Sequence, residues 1–91
     1  MNYNTEEILD KIRQEVERAC TMIIEADNHD SMLYNYWGVS YFLNVMELEY
    51  FERYTELKDF FKLMNGNVQT AYRIYYENAK KDLENAHKRL F

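Results

Sequence analysis

Apolar residues recur at steps of three and four along most of this chain, the spacing that stacks side chains on one face of a helix. Leu9, Ile12, Val16, Ala19, Ile23 and Ala26 make a first, narrow seam, with Lys11, Arg13, Glu17 and Arg18 lying off it. That pattern predicts a helix over 5–27. Asn4 suits its cap, and Glu7, three residues on, could close a capping box. Asp27-Asn28-His29-Asp30-Ser31 then reads as a turn, with Asp30 or Ser31 capping the second helix.

The second stretch is the richest. Val39, Leu43, Met46, Tyr50, Tyr54, Leu57, Phe61 and Met64 share one helical face, and Phe42, Phe51 and Phe60 widen it. Trp37, Val39, Tyr41, Leu43 and Val45 also alternate as a strand would. Phe42 and Met46 break the polar half of that alternation, and no second strand is there to pair with it. A helix over 31–65 is therefore expected, with Gly38 as the place where it would bend. Asn65-Gly66-Asn67 reads as its stop and the next cap. Val68, Tyr72, Tyr75, Ala79, Leu83, Ala86 and Leu90 then predict a third helix over 68–90.

The expected fold is all-α, one domain over residues 1–91, a three-helix antiparallel bundle with a long central helix. At ~1.5 Å per residue that central helix would span roughly 50 Å, against roughly 33–36 Å for its neighbours. Either that helix breaks around Gly38, or its overhang, with Tyr34, Tyr36, Trp37 and Tyr41, meets something else. A second copy of the chain is the simplest candidate.

Composition refines this picture. The chain has no proline and two glycines, which favours long helices. Nine tyrosines against five phenylalanines suit rings that pack while their hydroxyls reach water, at core edges or an interface. Formal net charge is −5, unevenly placed. Residues 25–60 carry eight acids against Arg53 and Lys58, a net of −6, whereas residues 61–91 carry a net of +3. An acidic middle argues against a direct nucleic-acid surface, which needs clustered lysine and arginine. It is compatible with a protein partner that presents a basic surface.

Other chemistry is thin. A lone Cys20 excludes an intramolecular disulfide, fits a reducing, cytosolic setting, and lacks a neighbouring base that would make it a nucleophile. His29 between Asp27 and Asp30 could ligate a metal, though capping and solvation explain such a loop. Glu84-x-x-His87 matches half of a di-metal helix motif that needs the step twice and two more glutamates. No phosphate loop, zinc motif or hydrolase triad is present, so neither an enzyme nor a bound cofactor is expected. The first residues lack a basic segment leading into an apolar run, so no secretion signal is expected, and no apolar stretch is long enough to span a membrane.

Two features remain as partner-binding candidates. One is an acidic stripe, Glu49, Glu52, Glu56 and Asp59, spaced to share one helix edge, where a solvated face is the plainer reading. The other is the aromatic cluster Tyr34, Tyr36, Trp37 and Tyr41, of the residue types enriched at interface hot spots. Together they suggest a small helical protein-binding module that docks a basic partner surface. The short, tyrosine-rich, acidic chain has the general character of phage or mobile-element accessory proteins, without a motif that assigns a family. In that setting it would act in the host-cell cytoplasm, inhibiting a nucleic-acid-binding defence protein by imitating a row of phosphates. The alternative is a homodimeric structural or regulatory protein with no inhibitory role.

Overall fold

The computed structural model describes residues 5–51 and 57–90, which form three helices: α1 (Thr5–Ile24), α2 (His29–Phe51) and α3 (Lys58–Leu90). Each packs against the other two, giving the expected all-α three-helix bundle. One core joins them. α1 supplies Ile12, Val16, Ala19 and Ile23, the middle of the seam seen in the sequence. α2 adds Met32, Val39 and Leu43. Leu57 at the entry to α3 joins them, with Phe61, Met64, Val68 and Ala71 from α3 itself. No polar or charged side chain is buried among the described residues.

Asn4, the expected cap of α1, lies outside the described residues, as do Glu52 and Tyr54. The cap of α2 is Asn28 rather than Asp30 or Ser31. Its side-chain Oδ1 accepts the Ser31 backbone N–H at 2.8 Å, and its carbonyl accepts that of Met32 at 3.1 Å. Asn28 thereby satisfies donors at the start of the helix, where the first turn has no earlier carbonyls to use.

Helix boundaries differ most from expectation in the middle of the chain. α2 runs through Gly38 without a break and ends at Phe51, while α3 runs uninterrupted through Asn65-Gly66-Asn67. Neither glycine takes a positive φ. The polar side chains near Gly66 bond back into their own helix: Asn65 donates to the Phe61 carbonyl at 2.9 Å and Thr70 to the Gly66 carbonyl at 3.0 Å. Burial decides the outcome. A helix continuing from 51 to 65 would carry Phe61 and Met64 away from α1, whereas reversal before Leu57 lets them and Val68 pack into the core. Each such burial contributes about 1.5–3 kcal/mol, against about 1 kcal/mol for a glycine inside a helix.

Cross-contacts fix the directions. Cys20 on α1 lies beside Asn67 on α3, and Arg13 lies over the Phe60 ring, its guanidinium carbon 5.7 Å from the centroid. These pairs climb together, so α1 and α3 are parallel. Tyr36 pairs with Gln69 and Tyr72, and His29 with Tyr76, so α2 runs antiparallel to both. The overhang accordingly belongs to α3 and not to the middle helix. Past Tyr76, α3 has neither α1 nor α2 beside it, and residues 77–89 are exposed throughout. The expected third-helix seam is buried at Val68 and half-buried at Tyr72 and Tyr75, but Ala79, Leu83 and Ala86 lie open to solvent. This projection stretches the molecule to 62 × 20 × 17 Å. Among the described residues, no helix is long and apolar enough to cross a membrane.

Candidate interaction site on the outer face of α2

α2 is apolar on two sides, where a surface helix of a small bundle ordinarily has one. Met32, Val39 and Leu43 face the core. Tyr34, Trp37, Tyr41, Val45 and Leu48 repeat at three and four along the opposite side and are all exposed. Tyr34 is 80% exposed, Tyr41 72% and Trp37 63%. The stripe extends roughly 21 Å along the helix, at ~1.5 Å per residue. Spacing alone also places Asp30 one turn before Tyr34 and Glu49 one turn after Val45, both exposed. Between them α2 carries neither lysine nor arginine.

Beside this stripe a groove of about 950 Å³ runs between α2 and α1. Phe42, Val39 and Met46 line its α2 wall, with Tyr34, Trp37 and Tyr41 at the rim. Ile8, Ile12 and Ala19 line its α1 wall together with Lys11, Glu15 and Arg18. Arg18 is engaged by Glu15 in an ion pair and also donates to Met22 Sδ. The hydrogen bond from Arg18 holds the Glu15 carboxyl below its ordinary range, so the α1 wall presents a neutralised pair plus Lys11.

The structure divides the residues proposed from sequence. Tyr34, Trp37 and Tyr41 come together on one face. Tyr36 does not belong with them: it points toward α3, where its ring lies 4.5 Å from that of Tyr72 and its hydroxyl accepts a hydrogen bond from Gln69 at 2.7 Å. Glu49 lies near the end of α2 and Asp59 near the start of α3, on two different helices; Glu52 and Glu56 lie outside the described residues. Residue type alone does not single out Val45 and Leu48. Their signal is the seven-residue step from Tyr34 to Tyr41 to Leu48, which stays hidden while every apolar position is assigned to one wide core face.

Other candidates resolve into packing. His29 Nε2 lies 2.6 Å from the Tyr76 hydroxyl, which also receives the Tyr72 hydroxyl at 3.4 Å. That bond from Tyr72, first among several causes, raises the Tyr76 phenol above its ordinary range. With Tyr36 and Tyr75, these rings close the α2–α3 side of the bundle. Half-buried Cys20 has its thiol raised by burial and, less, by Glu17, the opposite of what an activated nucleophile needs. Among the described residues, no three histidine, cysteine or acidic side chains converge as a metal site. Comparison of the chain with protein-family models, curated proteins and solved structures finds no match to any of them.

Proposed function

We propose that this protein is a protein-binding module that seats an apolar, basic-flanked helix of a partner along the outer face of α2. One observation carries the reading: five large apolar side chains stand exposed in a row on a helix whose opposite side is already in the core. Leaving such a row in water forgoes stabilisation of about 25 cal/mol per Å² of apolar surface. Contiguous apolar surface of this kind marks interaction sites, and tyrosine and tryptophan are favoured anchors there. Asp30 and Glu49 at its two ends suit a partner helix with lysine or arginine at each end.

Inhibition is one version of this role. Covering a basic surface that otherwise holds nucleic acid would suit a phage or mobile-element accessory protein. That version rests on Asp30 and Glu49 as guides and on the aromatic stripe for affinity.

Trp37 is the only tryptophan in the chain, so its fluorescence reads this face directly. The test titrates the protein with a synthetic amphipathic helix of about 18–20 residues, long enough to match the stripe, carrying one apolar stripe and arginines at both ends. The expected result is a blue shift of Trp37 emission. Binding should weaken at least tenfold with Tyr41→Ala or Leu48→Ala, about 1.4 kcal/mol or more, and weaken as salt rises. A peptide with glutamates at its ends should bind much less. Equal response to both peptides, or none to either, would sink the proposal. Emission that shifts with protein concentration alone would instead assign this face to a second copy.

A further inference from the structure

We infer that the free half of α3 is a self-association element, pairing antiparallel with the same segment of a second copy. The α3 face that meets α2 through Tyr72 and Tyr76 continues as Ala79, Leu83 and Ala86, spaced at three and four. Leu83 is 73% exposed, and among the described residues the whole of 77–89 is open to solvent. A helical segment this short draws little stability from propensity alone in water, so an apolar stripe along it implies a packing partner.

A second copy fits for three reasons. First, the stripe is self-complementary. Under a two-fold axis at Leu83, the two Leu83 side chains meet, and Ala79 of one copy faces Ala86 of the other. A large residue flanked by small ones thereby supplies both knob and hole. Second, the antiparallel copy would lie along the line of α2, which begins at His29 opposite Tyr76, and so occupy the space where α2 stops. Third, charges match at the far end. The last turn of α3 carries Lys88 and Arg89, and in this arrangement it approaches the turn that carries the exposed acids Glu25 and Asp27. Lys80 also falls on the same flank as Glu84 of the opposite copy, and the reverse.

This surface is separate from the outer face of α2, so self-association and peptide docking can fail independently. Four helical turns per copy make a small interface, and a micromolar dissociation constant is expected. Sedimentation velocity over roughly 5–500 µM should show a monomer–dimer equilibrium, with no change in Trp37 emission as dimer forms. Leu83→Glu changes a residue outside the core, so the fold should be kept, as judged by circular dichroism. It should weaken association at least tenfold. The pair Lys88→Glu/Arg89→Glu should also weaken it, and adding Glu25→Lys/Asp27→Lys should restore it. A wild-type monomer across the whole range overturns the inference, as does a dimer indifferent to Leu83→Glu. So does a monomer whose α3 amides gain exchange protection only when short duplex DNA is added, which would make the segment a nucleic-acid contact.

Discussion

The two faces of α2 are built from the same kinds of residue and end in opposite environments. Met32 and Leu43 are sealed in the core, while Trp37, Tyr41 and Leu48, on the other side of the same helix, stand mostly in water. Hydrophobicity alone therefore does not say which residues hold this fold together. What separates the faces is supply: α1 and α3 together present enough apolar surface to cover one side of α2, and the remaining length of α3 projects beyond the bundle. The inner face should carry stability and the outer face binding.

Truncating side chains on both faces tests that division most severely. Phe61→Ala, which empties the centre of the core opposite α2, should cost about 3–5 kcal/mol, and Leu43→Ala about 2–5 kcal/mol, by chemical denaturation. Trp37→Ala removes a larger side chain and should nevertheless change stability by no more than about 0.5 kcal/mol, as exposed substitutions do. If Trp37→Ala destabilised the chain as much as Leu43→Ala, the outer face would be part of the core and the division would be wrong.

Smaller effects probe how the two faces are set. Asn28→Ala should cost about 1 kcal/mol, because it removes the acceptor that starts α2 and fixes which residues turn inward. Gly66→Ala should instead raise stability by about 0.5–1 kcal/mol. Gly66 is helical, and nothing lies within 4 Å of where a Cβ would sit. A loss on Gly66→Ala would mean that α3 is not continuous there. The smallest effect concerns Cys20, at the α1–α3 seam. Because burial raises its thiol, folded protein should react with an alkylating reagent more slowly than unfolded chain at pH 8. A raised folded-state value favours the protonated thiol. Its small contribution to stability is therefore full below the ordinary thiol range and lost as pH rises through the shifted value.

Legibility in the sequence varies by element. α1 is legible almost to its last turn, since its seam is narrow and flanked by charge, leaving one possible inward face. The α2–α3 boundary is not, because Gly66 between two asparagines carries a strong local stop signal, while Glu52 to Leu57 carries a weak one. Local signals of that kind amount to about 1 kcal/mol, less than the burial of Phe61 alone. Residue type groups Tyr36 with Tyr34, Trp37 and Tyr41, whereas Tyr36 turns toward α3 and the other three share an exposed face, because a run of neighbouring aromatics does not reveal which way each one faces.

Spacing and composition were enough to establish the helical class, the narrow seam of α1, the acidic middle and an excess of tyrosines suited to core edges or an interface. Those properties act within a turn or two of helix, so a short window of sequence contains them. Where the chain reverses, which side of α2 stays open, and that the unsupported length belongs to α3 were settled by tertiary packing. Each depends on how much apolar area the alternative pairings bury across the whole molecule, a quantity that no window of the sequence contains.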